Sequence, residues 1–151
     1  MMAVQMPPVR AADVLQALTI AIVYIVACSL IREPARRNFN AIMIAGAGAA
    51  YLSGGGLGPW ELVFTAVVTF CAYQGLNSYR FIGVGWLLHT AWDVVHHLTG
   101  HPLLPFAPSS SAGCAIADAL LVLWFFADAP SAFRLFKILR PTNRAGLNRI
   151  A

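Results

Sequence analysis

Apolar residues run through this chain in five long stretches, separated by short polar, glycine-rich or proline-rich breaks. The first stretch is 14–31. It stops at a basic knot, Arg32 to Arg37, where Pro34 lacks an N–H and crowds the preceding turn, so the helix cannot continue. The second, near 39–53, carries Ala41, Ala45 and Ala49 at four-residue spacing, a small-residue face that lets another helix approach closely. It ends in Gly54-Gly55-Gly56-Leu57-Gly58-Pro59. The third covers 60–76, and the turn Asn77-Ser78-Tyr79-Arg80 leads into the fourth, 81–98. A loop containing Pro102, Pro105, Pro108 and Ser109 to Ser111 precedes the fifth, 112–127. A membrane-crossing helix needs roughly 17 to 25 mostly apolar residues. The pattern therefore predicts an all-α integral membrane bundle of five transmembrane helices within residues 1–130. A basic amphipathic tail, 131–151, would lie on the membrane surface.

The fourth stretch is ambiguous by hydropathy because it holds His89, Asp93, His96 and His97. Charge placement decides it. If all five stretches cross, the Arg32–Arg37 knot, Arg80 and the tail share one side. That side carries nine of the ten Lys and Arg residues, Arg10 being the exception. The glycine and proline loops on the other side carry none. By the positive-inside rule the N-terminus is outside and the C-terminus cytoplasmic, in a multi-pass protein of the cell's inner membrane. Composition agrees: 59% of residues are hydrophobic and 11% charged, against about 25% charged in soluble domains. The net charge of +4 comes mostly from the flanks and points to anionic lipid as a partner, not nucleic acid. The first ten residues lack the pattern of a cleaved secretory signal, so the first stretch is expected to stay as a helix.

Several chemistries are excluded. Cys28, Cys71 and Cys114 form no CxxC pair, which removes a thiol redox centre or zinc ribbon. The GGGLG run lacks the Lys-Ser/Thr of a phosphate loop and reads as a tight hairpin. No internal repeat supports an inverted-repeat transporter.

What remains is a cluster of ionisable residues in an apolar setting, where they are expensive and by default functional. On a helix of 100° per residue, with His89 at zero, Asp93 falls near 40°, His96 near −20° and His97 near 80°, an arc of about 100°. Such a stripe must face the bundle interior or a water-filled cavity. Asp93 lies roughly 8 Å below the outer end of its helix and Asp118 roughly 9 Å below the outer end of the fifth, so the two can be level. Glu61 enters at the outer end of the third helix, and His101 sits in the outer loop. Two chemistries fit. His89, Asp93, His96, His97 and His101 could ligate zinc, iron, manganese or copper. Alternatively Asp93, His96, Glu61 and Asp118 could do acid–base work without metal. The histidine boxes of membrane desaturases are a poor match, since this chain has only four histidines.

The segments YLSGGGLGPWEL (51–62) and GVGWLLHTAWDVVHHLTGHPLLPFAPSSSAGCAIAD (83–118) resemble a family of small bacterial polytopic membrane proteins of unknown function, over about residues 50–130. The resemblance implies a shared topology and site and supplies no reaction. Three functions stay open. One is a membrane-embedded enzyme on a lipophilic small molecule, of isomerase, cyclase or hydrolase type. The second is a metal-ion or proton transporter or relay, which with so few helices requires a homo-oligomer. The third is an accessory subunit of a membrane complex.

Overall fold

The computed structural model describes residues 8–134, and the expected basic tail falls outside them from 135 onward. Five α-helices follow in order: α1 (Ala11–Ser29), α2 (Ala35–Gly54), α3 (Trp60–Gly75), α4 (Tyr79–Thr99) and α5 (Ser110–Phe126). Each coincides with one of the apolar stretches. Among the described residues there is no strand, only an isolated bridge of Leu104 with Ala107 in the proline loop.

Local chemistry sets the boundaries. The Arg10 backbone N–H donates to Asp13 at 2.9 Å, which closes the first turn of α1 and places a carboxylate at its positive end. Prolines 34 and 59 precede α2 and α3. Gly100, at φ 72°, ends α4 in the left-handed conformation. There the His101 N–H bonds the His96 carbonyl at 3.0 Å and the Gly100 N–H bonds that of His97 at 3.3 Å, a Schellman closure. Ser110 and Ser111 pin the proline loop by accepting the Leu104 and Leu103 N–H groups.

Helix α4 is the hub, packing on α2, α3 and α5, while α2 packs on α3 and α1 lies against α5. Glycines allow the close approaches. A Cβ at Gly48 would come within 2.8 Å of Val68, and one at Gly85 within 2.9 Å of Ile44.

Many large apolar side chains lie on the surface of the bundle, among them Leu15, Ile22, Ile42, Val63, Leu87 and Leu123. Within an apolar core that includes Ile44, Val68, Ile82 and Phe125, the bundle also buries Asn40, Glu61, His89, Asp93, His96 and Asp118. By length and composition one helix, α1, near the N-terminus, is long and apolar enough to cross a membrane; α5 is a shorter apolar helix.

The two ends of the bundle differ. At one end the Tyr79 hydroxyl donates to Glu33 at 2.6 Å and Arg36 binds the same carboxylate oxygen at 2.6 Å. Arg37 donates to the Leu76 carbonyl at 2.9 Å, and the Ala132 N–H bonds Ser29 at 3.0 Å. The turn before α2, the turn before α4 and the segment after α5 are thus tied together. Burial alone would raise the Glu33 carboxyl, but the Tyr79 hydroxyl and the Arg36 guanidinium outweigh it and hold it below its ordinary 4.5. A carboxyl lowered in the folded state stabilises above its unfolded value, and that contribution is lost as pH falls through the folded one. Glu33→Gln should therefore lower the thermal midpoint at neutral pH, with the gap to the parent chain closing as pH drops below 4.5. A gap that persists unchanged in acid would refute this ionic role.

Candidate functional site

The opposite end of the bundle holds the ionisable cluster, assembled as two adjoining centres. In the first, His89 Nδ1 lies 2.8 Å from Asp118 Oδ2 on α5 and 3.1 Å from Asp93 Oδ2 one turn further along α4. The Tyr51 hydroxyl, from the end of α2, donates to the other oxygen of Asp93. One ligand atom from each of His89, Asp93 and Asp118 falls within 4.8 Å of the others. Asp93 is fully buried, and its Oδ2 finds no aligned hydrogen-bond donor. The Nε2 of His89 is also unpartnered, boxed in by the rings of Tyr51, Phe64 and Trp86. Two carboxylates that share one imidazole nitrogen away from water need positive charge to offset them, as protons or as a cation.

The second centre is built around Glu61. Its Oε2 accepts from Trp92 Nε1 at 2.9 Å and its Oε1 from the Leu57 backbone N–H at 3.1 Å. His96 Nε2 stands 3.1 Å from Oε1, off the hydrogen-bonding axis. On the far side of the ring, His96 Nδ1 meets the His101 carbonyl at 2.9 Å. A carbonyl can only accept, so this nitrogen carries a proton. The Schellman turn at Gly100 brings that carbonyl back to the ring. The Tyr51 ring lies 4.5 Å from His96 and 5.5 Å from His89, so it joins the two centres.

The sequence-predicted residues divide accordingly. His89, Asp93 and Asp118 come together, as do Glu61 and His96. His89 and His96 share a stripe, yet seven residues separate them by about 10 Å along the helix. One stripe thus serves two centres, and the expected five-residue metal set His89, Asp93, His96, His97 and His101 does not converge. His97 is half-buried with an unpartnered Nδ1, outside the three-residue group. His101 contributes its carbonyl, while its ring packs on Gly56.

Tyr51 and Trp92 did not stand out in the sequence, and the glycine loop did so without a role at the site. The loop reads there as a plain hairpin; its role is steric. A Cβ at Gly55 would overlap the Glu61 carboxylate, and one at Gly56 the His101 ring. Deeper in the bundle, toward the Arg36 end, lies Asn40, fully buried. It accepts from the Tyr24 hydroxyl at 2.7 Å and donates to the Arg36 carbonyl at 2.7 Å.

A cavity of about 390 Å³ opens between α1 and α5. Its walls are mainly apolar. Asp13, Gln16 and Ser109 lie toward one end, and Tyr24 and Leu121 toward the other. Asp118 and Trp86 line it between them, so the cavity reaches the first centre through Asp118.

Fold and site together define an all-helical protein with a buried carboxylate–imidazole centre beside an apolar cavity. The chain belongs to the DUF6010 family, a family of unknown function, whose model matches residues 12–131. That match takes in α1 and α2 as well as the region from 50 onward. No curated protein and no solved structure matches it.

The glycine loop makes a direct prediction. Gly55→Ala should push Glu61 away and break its bond from Trp92. Indole emission should then shift as is also expected of Glu61→Gln, and Gly46→Ala should be tested beside it as a glycine change that meets no neighbour. Unchanged emission in Gly55→Ala would contradict the assigned contact.

Proposed function

We propose that this protein is a multi-pass membrane enzyme that works on a lipophilic small molecule, with Asp118 as the group that meets it and His89, Asp93 and Tyr51 as its proton partners. The observation that carries the reading is the position of Asp118. It forms part of the wall of the apolar cavity and is at the same time hydrogen-bonded to His89.

The many exposed large apolar side chains, together with the burial of carboxylates and imidazoles, support the membrane setting. Whole-helix hydropathy understates α4, because its polar residues are buried and lipid would meet only its outer face, Phe81, Leu87, Val94, Val95 and Leu98. Likewise, Arg32, Arg36, Arg37, Arg80 and Arg134 gather at the end opposite the site, as the positive-inside rule expects of a cytoplasmic face. The site would then sit in the outer half of the bilayer.

In mechanistic terms, the Nδ1 contact fixes the His89 ring, and a proton given up or taken by Asp118 can be passed to the imidazole and on toward Asp93 and Tyr51. This suits isomerisation, cyclisation or hydrolysis. A lipophilic carbodiimide added to the chain in lipid nanodiscs should label Asp118, with little label on the enclosed Asp93, as read by peptide mass. Filling the cavity with Gly113→Leu should cut the Asp118 label several-fold. Label confined to Asp13 and Asp128 would sink the reading.

A second reading has its own observation, the unpartnered Asp93 Oδ2 within the three-donor group. A divalent zinc, iron, manganese or copper ion held by His89, Asp93 and Asp118 would supply the offsetting charge in place of protons. Metal analysis after gentle purification decides: near-stoichiometric ion, lost in Asp93→Asn, favours this reading, and a metal-free active chain removes it.

A further inference from the structure

The Glu61–His96 centre takes no part in the proton scheme above, and its two side chains lie outside the wall of the α1–α5 cavity. What it holds is the proline loop. His96 grips both backbone polar groups of His101. The His96 carbonyl accepts the His101 N–H at 3.0 Å, and the His96 ring donates from Nδ1 to the His101 carbonyl at 2.9 Å. The ring is steadied from its other nitrogen. Its Nε2 stands 3.1 Å from Glu61 Oε1, and that carboxylate is fixed by the Leu57 N–H and Trp92 Nε1–H. Trp92 is itself stacked on Phe64, with ring centroids 4.7 Å apart. His96 is fully buried, so turning its ring away from the carbonyl would leave Nδ1 without a partner, which is costly.

The loop that follows His101 builds one end of the cavity. Leu104, Ala107 and Ser109 line it beside Asp13 and Gln16 of α1, so the cavity is a slot with the proline loop at its polar end. The Leu104 carbonyl accepts the Ala107 N–H at 2.9 Å, which keeps these two wall residues together. On the α5 side the loop is held by Ser111 and Ser110, which accept the Leu103 and Leu104 N–H groups at 2.9 and 3.0 Å. On the α4 side its anchor is His96. Pro102, Pro105 and Pro108 have no N–H to give, so the loop has few bonds of its own to replace these anchors.

We infer that Glu61 and His96 are positioning residues for the slot: by clamping His101 they hold Leu104 and Ala107 in its wall and set how readily a lipophilic molecule enters. This inference rests on the slot being the ligand site, as proposed above, and gives the second centre its role there. It accounts for a buried carboxylate–imidazole pair placed outside the slot. It also accounts for Gly55 and Gly56, since the Glu61 carboxylate and the His101 ring occupy the space that a Cβ at each would take.

The test uses the full chain in lipid nanodiscs and N-phenylmaleimide, a lipophilic thiol reagent, with labelling followed by peptide mass at Cys114, which lines the slot. Cys28 and Cys71 are buried outside the slot wall and serve as internal controls. The parent chain should label slowly at Cys114. His96→Phe keeps a ring and removes the donor. It should raise the Cys114 rate about fivefold, the factor one hydrogen bond contributes to a local opening, with Cys28 and Cys71 still unlabelled. His96→Asn puts an amide donor near the Nδ1 position and should return the rate to within about twofold of the parent. A role in packing alone would leave the smaller Asn at least as loose as Phe. Should His96→Phe fail to fold, Ser110→Ala cuts the more exposed bond at the other anchor and should raise the rate about twofold. An unchanged Cys114 rate in His96→Phe, or in Ser110→Ala in its place, overturns the positioning role and leaves the slot as a lipophile site. So does an Asn rate as fast as that of Phe, or label on Cys28 and Cys71 together with Cys114. Absence of Cys114 label from the parent chain and every variant overturns the slot itself.

Discussion

Two buried carboxylates and the one imidazole nitrogen they share are the constraint on which the rest of the structure depends. Asp93, His89 and Asp118 come from α4 and α5, and Tyr51 brings in α2. Separating these helices would leave buried charge without a partner, which is far costlier than losing a surface ion pair. The hub position of α4 follows, since every group that offsets its polar stripe must come from a neighbouring helix. The same constraint explains the glycines. Tyr51 and Glu61 can reach α4 only if α2 and α3 lie close to each other and to it, and Gly48, Gly55 and Gly85 stand at the tight points.

Polarity is also sorted along the bundle. One end is held by Glu33, Arg36 and Tyr79, a partly exposed knot of side chains drawn from the turns. The other end holds the two enclosed centres. Between them the interior is largely apolar, with Ile44, Val68, Ile82 and Phe125 fully buried, and is broken by Asn40 with Tyr24. The hydrocarbon-rich exterior and the buried polar centres are two sides of one arrangement: the chain turns its charged chemistry inward and toward one end, and leaves many apolar side chains outside.

Much of this was legible in the sequence, because helical phase and charge placement are local properties. The period of α4 put His89, Asp93 and His96 on one stripe, and rise per residue put Asp118 level with Asp93 and Glu61 near the same end. The division into two centres was harder to see. His89 and His96 differ little in angle, so a helical wheel merges them, while their separation along the axis sends one to Asp118 and the other to Glu61. Tyr51 drew no reading of its own, and the glycine loop read as a hairpin. Their roles come from contacts across α2, α3 and α4, which no spacing within one helix encodes. His101 looked like a ligand by its ring, yet it acts through its carbonyl, a consequence of the left-handed turn at Gly100.

The central claim is that the cavity between α1 and α5 is a lipophile site that ends its reach at Asp118. An experimental structure of the full chain in a lipid nanodisc tests it most directly. The account predicts a lipid belt around all five helices, with elongated density in the slot contacting Asp118 and Trp86. A slot closed by α1 packing onto α4, with Asp118 sealed from it, would contradict the account.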